Sequence, residues 1–168
     1  MSRSSTVFAA LAAGFVVSVS SAAMADVKIT PLGSHEGELC PFDRAMIFED
    51  PDGTRILYDA GRTVAGADDP RLGKIDALLV SHMHGDHAGD RRIPAPNASP
   101  CGKPDVSVAA TPNTNTVDIA LAKNAKIVTG SEMPKFFAGK LKANGGDPKN
   151  SVLVRFGAST KVGGVTIT

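Results

Sequence analysis

The chain has 168 residues, of which 42% are hydrophobic, and a formal net charge of +1, which suits one ordinary domain with a packed core. Its 18 basic and 17 acidic residues nearly balance, so the composition gives no support for a nucleic-acid-binding protein, which normally needs a basic face. Tryptophan is absent and aromatic residues are few, so aliphatic side chains and phenylalanine must build the core.

The first 25 residues have the composition of a secretory signal peptide. Arg3 is their only charge, an apolar run follows at Val7–Val19, and the small-residue sequence Ala23-Met24-Ala25 precedes Asp26. A membrane anchor usually needs about 20 unbroken apolar residues, and a serine-rich stretch ends this run early. We therefore expect cleavage before Asp26 and a periplasmic or secreted protein with no stable membrane anchor. Loss of the one arginine would leave 17 basic and 17 acidic residues.

The two cysteines, Cys40 and Cys101, would lie in an oxidising compartment after export, where a disulfide can persist. They form neither a disulfide scaffold nor a Cys-x-x-Cys motif. The sequence leaves a bridge and two free thiols equally open. We predict the disulfide if the loops that carry the two residues meet.

Short strands are predicted in the first part of the mature chain. Val27–Leu32 alternates apolar and polar residues, and Ala45–Phe48 and Arg55–Tyr58 form a hairpin around the turn Asp50-Pro51-Asp52-Gly53. Ile75–Val80 is a nearly continuous apolar run, which is typical of a buried strand.

The later part of the chain alternates strands with helices, which predicts a layered α/β arrangement. Four prolines between Pro94 and Pro104 indicate a long surface loop. The elements predicted after this loop are a strand at Val106–Ala110, a helix at Asn113–Lys123, a strand at Lys126–Val128, a helix from Ser131-Glu132 to Asn144-Gly145-Gly146, and strands at Ser151–Phe156 and Val165–Thr168 flanking a Gly163-Gly164 turn.

Three of the four histidines lie within residues 82–87, directly after the predicted buried strand. His82 and His84 are two positions apart, so on an extended backbone both imidazoles point to one side. Met83 is expected to point the other way, toward the core.

A turn at Gly85 would aim Asp86 and His87 back toward the same space. Imidazole and carboxylate together suit zinc best among the common metals, with manganese or iron as alternatives. Asp86 is also placed to cap a following helix, with His87 in its first turn. A lone histidine such as His35 is assigned to solvated surface, whereas the cluster predicts a metal site.

These residues carry a family resemblance. The string His82-Met83-His84-Gly85-Asp86-His87 resembles the signature of the metallo-β-lactamase superfamily, and Ile56-Leu57-Tyr58-Asp59-Ala60-Gly61 resembles that family's strand ending in Asp and Gly. The resemblance implies an α/β fold of the α+β type, a four-layer αββα sandwich with its metals at one edge of the two sheets. It also implies a metal-dependent hydrolase.

Position by position, the resemblance implies that His82 and His84 bind a first zinc ion and that Asp86 and His87 bind a second. Asp86 would also orient the nucleophile, as the catalytic residue. Asp59 would fix the orientation of a ligand histidine, and a simple strand-terminal turn aspartate is the equally open alternative.

The family's remaining ligands come from later in its sequence, and here no histidine follows His87. The chain ends inside the predicted strand Val165–Thr168. We therefore expect residues 26–168 to form a metallo-β-lactamase-like domain that lacks its carboxy-terminal part, with weak metal affinity and little activity as given. Asp90 and Arg91 follow the motif closely and are assigned to a solvated helix face.

The resemblance implies a zinc-bound hydroxide that attacks a small-molecule substrate. A lactone or ester hydrolase ranks first, and a phosphodiesterase or β-lactam hydrolase of the same superfamily is the alternative. Nucleic-acid processing is disfavoured by export and by the neutral charge. The alternative from a different functional class is a non-catalytic periplasmic module in which four ligands close around one zinc ion.

Overall fold

The computed structural model describes residues 26–33, 42, 44–110 and 113–168. The predicted signal peptide, His35 and Cys40 lie outside these residues. Cleavage before Asp26 and the disulfide between Cys40 and Cys101 therefore stay predictions.

The described residues form strands, α-helices and one short 3-10 helix at Pro148–Asn150. In chain order the strands and α-helices are β1 (Lys28–Pro31), β2 (Met46–Glu49), β3 (Arg55–Tyr58), β4 (Ala77–Leu79), α1 (Gly85–Ala88), α2 (Ser107–Ala110), α3 (Asn115–Lys123), β5 (Lys126–Thr129), α4 (Met133–Ala143), β6 (Ser151–Leu153), β7 (Thr160–Val162) and β8 (Val165–Ile167).

Six strands make one mixed sheet in the order β1-β2-β3-β4-β5-β6. Strands β1, β2 and β3 pair antiparallel, and β3 to β6 pair parallel. Helices α1 to α3 connect β4 to β5 and α4 connects β5 to β6, as crossover connections in such sheets usually run, whereas an irregular segment connects β3 to β4. The carboxyl ends of β3, β4, β5 and β6 therefore meet at one edge of the sheet.

The two faces of the sheet pack against different partners because side chains alternate along each strand. Leu57, Leu78 and Ile127 are fully buried in a core with side chains of α3 and α4 such as Val117 and Phe137. On the other face, a smaller cluster joins residues of β4 and β5 to Val162 of the β7–β8 hairpin and to partly buried neighbours. Helices, six-stranded sheet and hairpin thus form three successive layers, and the predicted α/β class is confirmed.

One predicted strand is wrong, and another is shorter than predicted. Val106–Ala110 contains the short helix α2, where the Asp105 carboxylate accepts the Ser107 N–H at 2.9 Å and starts a helical turn. The strand predicted at Ser151–Phe156 ends at Leu153, and the strand that precedes the glycine turn and pairs with β8 is β7, which was not predicted. The Gly163-Gly164 turn joins β7 to β8, and Gly163 adopts a φ of +54° that favours glycine.

The other predicted elements agree with the structure to within two residues at each end. The β2–β3 hairpin closes as expected, since Gly53 N–H donates to the Asp50 carbonyl at 2.8 Å. Within the described ranges, none of the helices has the length and apolar character needed to cross a bilayer.

Candidate metal centre

The candidate site lies at the sheet edge where the parallel strands end, which is the usual position of sites in such sheets. Asp59 directly follows β3, and residues 81–87 follow β4. The Asp59 N–H donates to the Leu79 carbonyl at 2.9 Å, so the two strand ends stay bonded. Asp59 itself has a φ of +46°, in the left-handed region that non-glycine residues seldom adopt.

His82 and His84 form what we call the first donor pair. His82 Nε2 lies 3.0 Å from His84 Nδ1, and the ring centroids are 4.6 Å apart. Two nitrogens bound at about 2.0–2.1 Å to one tetrahedral zinc ion would be about 3.3 Å apart. The two nitrogens are therefore close to the spacing of ligands that share one ion.

Asp86 and His87 form the second donor pair. His87 Nε2 lies 3.4 Å from Asp86 Oδ2, a spacing that also fits two ligands of one ion. The second pair adjoins the first, because the rings of His82 and His87 are only 3.9 Å apart. Each pair by itself supplies two donors. Accordingly, the part of the chain that the structure describes has no group of three or more His, Cys, Asp or Glu side chains around one ion position.

Asp59 contacts two residues of the site, and only 1% of its surface is exposed. Its Oδ1 accepts the Ser81 N–H at 2.8 Å, and its Oδ2 lies 2.7 Å from both Ser81 Oγ and His87 Nδ1. A bond to Nδ1 leaves Nε2 as the free nitrogen of His87. Nε2 is the atom that faces Asp86.

Three expectations for this segment are wrong. Met83 does not enter the core and is 39% exposed, because β4 ends at Leu79 and the backbone bends at residues 83 and 84 instead of continuing the strand. Asp86 does not cap a helix but lies inside the four-residue α1, whose N-cap His84 makes no side-chain cap bond.

The third concerns Asp90 and Arg91, for which the sequence predicts a solvated helix face. Helix α1 ends at Ala88, where Gly89 takes a φ of +88°, so both residues lie beyond it. They form an ion pair with Arg91 Nε 3.1 Å from Asp90 Oδ1, and each side chain is nearly half exposed. The solvated position is as expected, and only the helix is missing.

Two polar residues at the start of α3, which the motif does not predict, also support the site. Asn115 is fully buried, and its Nδ2 donates to the carbonyls of Gly61 and Val64 at 3.0 and 2.8 Å. Thr116 Oγ1 donates to the Ala88 carbonyl at 2.8 Å. These bonds tie α1 and the loop after β3 to one helix. The sequence signal for these bonds is that Asn115 and Thr116 are polar at a place where the helix is expected to present apolar side chains to the core.

Two arginines lie near Asp86 of the second donor pair. Arg44 Nε lies 3.6 Å from Asp86 Oδ2, with its side chain 43% exposed. Arg62 is buried, donates from Nη2 to the Gly102 carbonyl at 2.5 Å and stacks its guanidinium 4.5 Å from the centre of the Phe42 ring. Burial lowers the pKa of Arg62 from its usual value. The hydrogen bond from Arg62 to Gly102 holds the proline-rich loop beside the site.

Gly61→Ala should destabilise the protein strongly. A Cβ at Gly61 would lie 1.9 Å from the backbone oxygen of Asp86, and the residue has a φ of +33°. We expect about 2–5 kcal/mol lost from the free energy of unfolding, measured by urea denaturation. Gly53→Ala is the matched control, since Gly53 has a φ of +84° and no atom within 4 Å of the added carbon. Its expected cost is about 1–2 kcal/mol, and equal costs for the two variants would contradict the close approach.

Residues 44–90 match a family model described as Lactamase_B, the metallo-beta-lactamase superfamily. The matched segment runs from β2 through the end of α1 and contains Asp59 and both donor pairs. A search of the curated proteins found no match to the chain.

Proposed function

Because residues 44–90 match the family model of the metallo-β-lactamase superfamily, we propose that the protein is a metal-dependent hydrolase with two zinc ions at the edge of its sheet. His82 and His84 would hold one ion, and Asp86 and His87 the other. The observation that supports this most directly is the spacing of the donor atoms, 3.0 Å in the first pair and 3.4 Å in the second. Manganese or iron are the alternative metals for the same donors.

Bound zinc would lower the pKa of a water molecule to about 7 and polarise the bond under attack. The protein's part is to hold the donors in place. His82, His84 and His87 would bind as neutral imidazoles, each through one lone pair. Asp86 is the one carboxylate of the two donor pairs, so it is the group that can accept a hydrogen bond from the attacking water and orient it.

We propose a lactone or ester as the substrate class. The metals would supply the chemistry, so the loops around the site would select the substrate. The proline-rich loop between Pro94 and Pro104 borders the site through the bond from Arg62 to Gly102. A phosphodiester is the second candidate, favoured by Arg44 beside Asp86, since an exposed guanidinium there could bind a phosphoryl oxygen.

The test uses protein expressed from its complete coding sequence, either loaded with zinc or stripped by a chelator. The probes are an aryl ester, a γ-lactone, a bis-aryl phosphodiester and a cephalosporin. We expect zinc-dependent turnover, fastest on the ester or lactone, that returns when zinc is added back. Full turnover after chelation would contradict the proposal. Stoichiometric zinc without turnover of any probe would favour the non-catalytic metal-binding module.

We also propose that the protein is exported and acts on a small molecule in the periplasm or medium, without a nucleic-acid partner. The proposal is supported by the composition of residues 1–25, which has one charge and a small-residue cleavage sequence before Asp26. Amino-terminal sequencing of the mature protein should begin at Asp26. Mature protein that retains Arg3 would contradict cleavage at this position.

A further inference from the structure

Ser81 immediately precedes the histidine motif and contacts side chains on both sides of the candidate site. Its Oγ lies 2.7 Å from Asp59 Oδ2, 3.0 Å from His82 Nδ1 and 3.0 Å from His87 Nδ1. We propose that Ser81 is a positioning residue that determines which ring nitrogen of His82 carries the proton. The inference rests on the proposed function, because it takes His82 to be a zinc ligand.

The hydrogen atoms around Ser81 can be assigned by counting donors and acceptors. A serine hydroxyl donates one hydrogen and accepts at two lone pairs, whereas a carboxylate only accepts. The shortest contact of the hydroxyl is to Asp59, so its hydrogen belongs on that bond. A lone pair of Oγ then faces Nδ1 of His82, which must carry a hydrogen, and His87 Nδ1 carries the hydrogen that it donates to Asp59 Oδ2 at 2.7 Å.

This assignment leaves the lone pair of both rings on Nε2. His82 Nε2 faces His84 at 3.0 Å, and His87 Nε2 faces Asp86 at 3.4 Å. These are the atoms that would bind metal in the two donor pairs. In the metal-free protein, His84 Nδ1 would donate to His82 Nε2, and this proton must leave His84 Nδ1 before that atom can bind.

Asp59 acts on the two rings by different routes. It contacts His87 directly, with Oδ2 2.7 Å from Nδ1, and it reaches His82 through the Ser81 hydroxyl. One buried carboxylate thereby orients one ligand in each donor pair. Without the hydroxyl, the direct bond to His87 would persist, but nothing in these contacts would keep the proton of His82 on Nδ1.

Loss of the hydroxyl should not unfold the protein. Ser81 is an exposed residue, and its backbone N–H donates separately to Asp59 Oδ1 at 2.8 Å. Ser81→Ala keeps this backbone bond and removes only the relay to His82. Ser81→Thr keeps the hydroxyl. Met83→Ala is the control within the same segment, since the Met83 side chain is exposed and belongs to neither donor pair.

The experiment records ring nitrogen resonances of ¹⁵N-labelled, metal-free protein expressed from its complete coding sequence. In the wild type and in Ser81→Thr, His82 should carry its proton on Nδ1. In Ser81→Ala, His82 should exchange between both forms while His87 keeps its proton on Nδ1. Competition with a chelator then measures zinc affinity, which should fall by about 10–100-fold in Ser81→Ala and stay near the wild-type value in Ser81→Thr and Met83→Ala.

A wild-type protein that binds zinc but carries the His82 proton on Nε2 overturns the role of Ser81 alone, whatever the variants do. Unchanged His82 resonances and unchanged zinc affinity in folded Ser81→Ala overturn it as well. A wild-type protein that binds no zinc overturns the proposed function, and with it the positioning of a ligand. The two failures are therefore distinguishable.

Discussion

His84→Ala should abolish most of the zinc binding of the protein expressed from its complete coding sequence, while Met83→Leu should leave it nearly unchanged. The His84 substitution removes one of the two nitrogens that lie 3.0 Å apart in the first donor pair. Met83 is the residue between them, and at 39% exposure its side chain can change without opening a cavity. We expect the loss at His84 to exceed the range of about 10–100-fold that is typical for residues outside the ligand set.

Zinc content after dialysis and hydrolytic turnover would be measured together on both variants. Met83→Leu tests whether disturbance of residues 82–84 by itself is enough to empty the site. Full zinc content and full turnover in His84→Ala would show that His84 is not a zinc ligand. A large loss in Met83→Leu would instead mean that this segment is packed differently from the structure.

Asp59→Asn should lower zinc affinity by about 10–100-fold and also destabilise the fold. Asp59 is 1% exposed, and its two oxygens face hydrogen-bond donors of Ser81 and His87. An asparagine has one oxygen and an amide that donates, so one oxygen position can no longer accept these bonds. A buried donor left without its partner costs about 1–3 kcal/mol.

Asp90→Asn is the matched control for Asp59→Asn, because Asp90 lies near the motif but is about half exposed and pairs with Arg91. Exposed pairs of this kind contribute about 0–1 kcal/mol. Zinc competition and urea denaturation should separate the two variants clearly. Equal effects at both positions would show that Asp59 has no special part in orienting His87.

The sequence predicted those features that depend on neighbouring residues. Arg55–Tyr58 is a strand with the predicted bounds, and the turn before it closes through Gly53 as expected. The rings of His82 and His84 lie side by side as predicted, although the backbone bends there instead of staying extended. The local pattern failed at Met83, since burial of that side chain depended on the strand continuing beyond Leu79.

The remaining features depend on contacts between distant segments, which periodicity does not reveal. The polar start of α3 is buried because Asn115 bonds the carbonyls of Gly61 and Val64, more than 50 positions away. The relay through Ser81 exists only because β3 and β4 are adjacent and parallel, which brings Asp59 beside the motif. Nothing in the motif itself identifies these partners.

The central claim is that residues 82–87 bind zinc, and the most direct measurement is a zinc titration followed by the ring resonances of the four histidines. If these residues bind zinc, the resonances of His82, His84 and His87 change together as zinc is added, while those of His35 stay constant. Zinc binding that shifts His35 and leaves the three motif histidines unchanged would contradict it.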